Sequence, residues 1–177
     1  MDILDLDIDS MYFEAPLPTE VEALINRASE KYGESEAELL LLQAFFKSPE
    51  HLTVLVALYR YYYYQIRLDD ALTVAEHTIS AAAKSLNLQE DWRIVTPLEV
   101  AAGAHKSVGL VRFYLLALKA MGIVQMRLGE LELGQEMLRK VISLDPKDRL
   151  KTVDLLAIAE SYQIKEMANT TRLSVVG

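Results

Sequence analysis

The stretch LKAMGIVQMRLGELELGQEMLRKVISLDP, residues 118–146, reads as two helices in close contact. Leu128-Gly129 breaks it in the middle, and Asp145-Pro146 ends it. Gly122 on the first helix and Gly134 on the second are small where two helices would cross. A small residue on one helix lets its neighbour approach, and larger apolar groups such as Met121 fill the groove beside it.

The same spacing recurs twice upstream. Ala37 and Ala71 take the place of Gly134. Twelve residues after these three small positions stand Pro49, Ala83 and Pro146. Twelve residues before them stand Ile25, Tyr59 and Gly122, each preceded by a large apolar residue, Leu24, Leu58 or Met121. Ala37 and Ala71 are 34 residues apart, while Ala71 and Gly134 are 63 apart, which leaves room for an insertion. A helix–turn–helix unit of this period resembles the tetratricopeptide repeat (TPR). RLDDALTVAEHTISAA adds the family's acidic turn before Ala71. Tyr59 and Gln125 depart from it, standing where a small residue and an aromatic are usual.

The resemblance implies an all-α, right-handed array of antiparallel helix pairs, an α-solenoid of about seven helices. Repeats are expected at about 18–51, 52–85 and 115–148, with an insert at about 86–114 and a capping helix at about 150–167. Together they make one domain over 18–168. The family binds peptides on its concave side. By register that groove would present Asn26, Thr53, Val56, Arg60, Tyr63, Tyr64, Lys119, Ile123, Met126 and Arg127, with Thr19 and Glu22 at its acidic end. Glu22 occupies a lysine place of the family's carboxylate clamp, which argues against an acidic C-terminal peptide as ligand. Within YRYYYY, residues 59–64, the register turns Tyr59 and Tyr62 into the helix pair and leaves Tyr61 on the outer or inter-repeat side. Tyr63 and Tyr64 are either packing groups or, with Arg60, groove anchors, since Tyr and Arg are favoured at binding hot spots.

Local signals fill in the remainder. Thr19 is placed to cap a first helix with Glu20 and Glu22 in its first turn, and Ser35 with Glu38 forms a capping-box pattern. Helices are expected over about 51–66, 68–86, 110–128, 130–144 and 150–167. The last should turn Leu155, Leu156, Ala159 and Tyr162 inward. The stretch from Asn87 to about Gly109 carries irregular signals, although Trp92, Ile94, Val95, Leu98 and Val100 are apolar enough to pack on the repeats. Residues 1–17 form an acidic arm, extended or disordered, in which DILDLDID alternates acids with Leu and Ile. The arm is either a solvated tail or a segment that docks on a groove, its own or a neighbour's. Residues 169–177 read as a fraying tail.

Charge is uneven. Residues 1–50 hold twelve acidic and three basic side chains, and residues 51–177 hold fourteen and fifteen. Without a concentrated basic stripe, nucleic acid and anionic membrane are not expected partners. The chain has no cysteine, which removes disulfides and thiolate chemistry. His51, His77 and His105 are isolated, and no phosphate loop or nucleophile elbow occurs. We therefore expect no enzyme, no cofactor and no metal. With no basic, apolar leader and no apolar run of membrane length, the cytoplasm is the expected compartment. The expected function is a scaffold or adaptor for a protein or peptide. The rivals are a chaperone of a secretion-type system, which matches small acidic three-repeat proteins in size and charge, and a self-associating subunit forming a homodimer through the tyrosine helix or the arm. A small-molecule sensor or enzyme would need a closed pocket of Tyr63, Tyr64 and Trp92.

Overall fold

The computed structural model describes residues 16–175, with side chains described through residue 163. The described residues form eight α-helices and no strand: α1 (Thr19–Glu30), α2 (Ser35–Lys47), α3 (Leu52–Tyr64), α4 (Leu68–Leu86), α5 (Pro97–Lys106), α6 (Val108–Arg127), α7 (Leu131–Leu144) and α8 (Thr152–Val175). The all-α expectation is met. The expected arm lies almost wholly outside the described residues; of it, Pro16 is exposed and Leu17 packs against the core.

Three helices pack on their sequence neighbours through short turns: α1 on α2, α3 on α4, and α6 on α7. The pairs join through α2 against α3 and α4 against α6, and α8 covers α7. The positions singled out for their small side chains lie at these contacts. Ala37 and Ala71 are fully buried, and Gly134 is buried against Gly122. Gly33 and Gly129 adopt φ of 98° and 96°, a left-handed region that a side chain would strain, and each makes the break expected of it.

Several local readings are corrected. The insert is not irregular throughout, because α5 occupies 97–106 and raises the count to eight helices. A complete capping box lies there. Thr96 Oγ1 accepts from the Glu99 amide, while the Glu99 carboxylate accepts from the Thr96 amide at 2.7 Å. Pro97 follows at the first helical position, where a missing N–H costs nothing. Thr19 and Ser35 do not cap. Each is the first residue of its helix, behind Pro18 and Glu34, and neither end has a side-chain cap bond. Helix α6 begins earlier than expected, with Ser107 Oγ accepting from the Leu110 amide. Helix α8 runs beyond Met167, so the expected tail is helical as far as Val175. Tyr162 is exposed instead of inward, and Leu155, Leu156 and Ala159 are half-buried.

Trp92, Val95 and Val100 of the insert are buried, but Ile94 and Leu98 stand in solvent. Trp92 packs among Ile79, Met121, Leu133 and Met137, between α4, α6 and α7. Arg93 stacks on its ring at 4.4 Å, and Lys140 holds the Arg93 carbonyl at 2.6 Å. By length and hydropathy α6 could cross a membrane, but 78% of its apolar window is buried against the other helices.

Candidate functional site

The tyrosine helix α3 divides its rings between core and surface. Leu55, Leu58 and Tyr62 face α2 and α4, beside Leu42, Phe45 and Val74. Tyr59 and Tyr62 are buried, as the register required. The Tyr62 hydroxyl donates to Glu38 Oε1 at 3.1 Å. Arg67 closes this corner with 2.7 Å bonds to Glu38 and Asp70 while lying 4.5 Å over the Tyr62 ring. Burial first, then the bond to Glu38, pushes the Tyr62 phenol up to about 12.

The other side of α3 borders an open cleft. Ile25, Ala28, Ser29 and Tyr32 line it from α1 and the turn after it, Leu41 from α2, and Ala57, Arg60, Tyr61 and Tyr64 from α3. Its volume is about 500 Å³, within the range of ligand pockets. Tyr32 meets Tyr61 edge-on at 5.9 Å, and Tyr64 meets Tyr63 likewise. Burial pushes the Tyr32 phenol up; Tyr64 and Tyr61 add to this, and Arg60 opposes it. The lining is almost wholly apolar and aromatic, with one guanidinium at the edge. Such a surface accepts an apolar or aromatic side chain and orients a neighbouring carbonyl or carboxylate.

The expected groove residues separate into three sets. Arg60 and Tyr64 line the cleft, and Asn26 is exposed nearby on α1. Tyr63, Ile123 and Met126 are half-buried, and Arg127 is exposed with its guanidinium 5.0 Å over the Tyr63 ring. That contact brings the C-terminal ends of α3 and α6 together. Thr53, Val56 and Lys119 are buried, a correction to the expected open surface. The Lys119 ammonium donates to the Leu150 carbonyl at 2.9 Å, tying α6 to the turn before α8. Tyr64 and Trp92 line separate cavities, so Tyr63, Tyr64 and Trp92 do not make one pocket.

Tyr32, Tyr61, Ser29 and Leu41 were not anticipated as a lining. The signal for Tyr32 was present, because Ile25, Ala28, Ser29 and Tyr32 continue the stripe of α1 at helical spacing up to Gly33. A second cleft, of about 510 Å³, lies between α5, α6 and the turn after α7; it is lined by buried Val111 and Leu115 and by exposed Val108, Arg112, Lys147 and Arg149. Among the described residues no group of three or more His, Asp or Glu is placed to hold a metal ion.

The fold and cleft define an all-helical protein with an aromatic surface cleft. Comparison with known proteins adds one family relationship. The chain is 45% identical over 162 residues to a protein described as an uncharacterized 19.8 kDa protein in the nifW 5′ region of Azotobacter chroococcum mcd 1, across 92% of this chain and 90% of the relative. The chain belongs to the same family as that protein. No family model matches the chain, and no solved structure matches it.

Proposed function

We propose that this chain is a non-catalytic scaffold or adaptor of the cytoplasm, built as a TPR-like right-handed array, that binds a protein or peptide partner on the side of α1 and α3. The observation that carries this reading is the Tyr32–Tyr61–Tyr64 cleft with Arg60 at its edge. Tyr61 is buried at its base, while Tyr32 and Tyr64 are about half exposed; rings so placed beside a guanidinium make favourable anchors for a partner side chain. The cleft contains no pairing of a base with a nucleophile that would suggest chemistry. The array reading draws support from the buried Ala37, Ala71 and Gly134 and from the packing order α1–α2, α3–α4, α6–α7.

The relative is described by its position 5′ of nifW, so the product of a neighbouring gene is the first partner to test. The experiment is co-purification from the native cell, comparing wild type with Arg60→Glu/Tyr64→Ala. A partner retained by wild type and lost by the variant supports the cleft as the binding site. Equal capture by both places recognition elsewhere and overturns the site. A wild-type mass in solution of two chains, reduced to one by the variant, would instead favour self-association through the tyrosine helix.

A further inference from the structure

The cleft between α5, α6 and the turn after α7 shares no lining residue with the tyrosine cleft. Pro97, Ala101 and Ala104 border it from α5 at helical spacing, and Val108 continues the line into α6. Gly103, on the packed side of α5, lets that helix sit against Leu86 and Val111, where a β-carbon would come within 3.3 Å of both. The space that remains is about 510 Å³, in the range of ligand pockets, and its lining is mostly apolar.

The other wall is the turn over residues 145–151, and it is pinned from within. Asp145 Oδ2 accepts from the Leu150 amide at 3.0 Å, and Asp148 Oδ1 accepts from the Thr152 amide at 2.7 Å. Lys119 holds the Leu150 carbonyl at 2.9 Å. Both carboxylates of the turn are thus committed to backbone amides. Lys147 and Arg149, on the same turn, are exposed, and neither pairs with a carboxylate among the described residues. Arg112 adds a cation from α6. On α5 the Glu99 carboxylate is closed into the capping box with Thr96.

An apolar cleft whose cations face solvent and whose carboxylates are engaged with backbone fits an acidic, apolar ligand. The placement of charge separates a peptide from a fatty acid. A fatty acid brings one carboxylate at one end of its chain. Here the cations come from two walls, Arg112 from α6 and Lys147 and Arg149 from the turn. A helix with acids on both sides of an apolar stripe has the matching distribution. A turn already fixed by its own bonds loses little freedom when such a helix docks.

We propose that this cleft is a second docking site, which takes an acidic amphipathic helix of a partner protein. The apolar residues of that helix enter the cleft, and its carboxylates meet Lys147 and Arg149 from one wall and Arg112 from the other. The site does not depend on the tyrosine cleft, and a chain with both holds two partners at once.

The test is binding of a fluorescent synthetic helix, with leucines along one face and glutamates on either side of them, to the full chain. Saturable binding is expected. Lys147→Glu/Arg149→Glu, at two exposed positions, should weaken it about tenfold or more. Val108→Glu places an acid in the first turn of α6, where the helix dipole favours it; it should weaken binding likewise with the unfolding midpoint kept. Amide shifts on binding should concentrate over 97–112 and 145–151. Arg60→Glu should leave the affinity unchanged, so the two clefts fail separately. Equal binding by wild type and both variants of this cleft, no binding by any of them, or equal binding of a helix with glutamine for glutamate overturns the proposal. Tighter binding of dodecanoate, with the same dependence on Lys147 and Arg149, assigns the cleft to a fatty acid and overturns the peptide assignment. A wild-type mass of two chains that Lys147→Glu/Arg149→Glu reduces to one assigns it to a second copy and overturns it equally.

Discussion

Gly122 and Gly134 face each other where α6 crosses α7. A β-carbon at Gly134 would stand 2.5 Å from the Gly122 carbonyl oxygen and closer still to the Met126 side chain. Met126 can move, but the Gly122 backbone cannot without separating the helices. A β-carbon at Gly122 would meet the Gly134 carbonyl at 3.0 Å and Met137 Cβ at 3.1 Å, a milder conflict.

Gly134→Ala should therefore destabilise the fold by about 1–3 kcal/mol, in the range of overpacked cores. The denaturant midpoint should fall, and it should fall less for Gly122→Ala. Equal midpoints for both variants and wild type would contradict the close crossing.

Tyr114 gives a change of the opposite sign. Its ring is fully buried on α6, and its hydroxyl has no hydrogen-bond partner among the described residues. Removing an orphaned polar atom while keeping the ring relieves a desolvation cost of about 1–3 kcal/mol. Tyr114→Phe should leave stability unchanged or raise the thermal midpoint. A marked fall would mean that the hydroxyl is bonded.

Alkaline pH should weaken the fold in a defined window. Burial raises the Tyr114 phenol to about 12, and burial with the Glu38 bond does the same for Tyr62. Both bind their protons more tightly folded than unfolded, where the value is near 10. Their contribution is complete below about pH 10 and is lost as pH rises toward 12. Tyr62→Phe/Tyr114→Phe should flatten that limb of the stability–pH curve. An unchanged slope would exclude these two groups as its cause.

Thr96 and Glu99 make an acid-side prediction. The two bonds from Thr96 hold the Glu99 carboxyl below its ordinary range. A lowered carboxyl contributes above its unfolded value and loses that contribution as pH falls through the folded one. Thr96→Ala should cost about 1 kcal/mol near neutrality and reduce this acid-side dependence, since the hydroxyl bond is lost while the amide bond from residue 96 remains. Hydrogen exchange should accelerate first at the start of α5.

Val56 and Tyr64 separate core from cleft on one helix. Val56 is fully buried, whereas Tyr64 is about half exposed. Val56→Ala should lower stability by about 2 kcal/mol. Tyr64→Ala should keep the unfolding midpoint near wild type and affect partner retention alone. A large stability loss from Tyr64→Ala would remove it from the list of surface anchors.

Much of the architecture was legible in the order of residues. The spacing of Ala37, Ala71 and Gly134 marked the helix contacts, and Gly33, Gly129 and Pro146 marked where helices stop. Periodicity and chain-breaking residues act locally, so a linear pattern records them. It also assigned Tyr59 and Tyr62 to the core. Helix α5 escaped because a ten-residue helix containing Gly103 carries little periodic signal, although Thr96-Pro97 and Glu99 spelled its cap.

What only the tertiary structure decided is which surface remains open. Thr53, Val56 and Arg60 share one helical face, yet the first two are buried and the third borders a cleft. Lys119 reads as a surface cation until its ammonium is seen on the Leu150 carbonyl. The sequence by itself determined every helix but α5, the breaks at Gly33 and Gly129 and the crossing at Gly134. Burial depends on which distant segments come to lie over a face, and that is a property of packing that no local pattern contains.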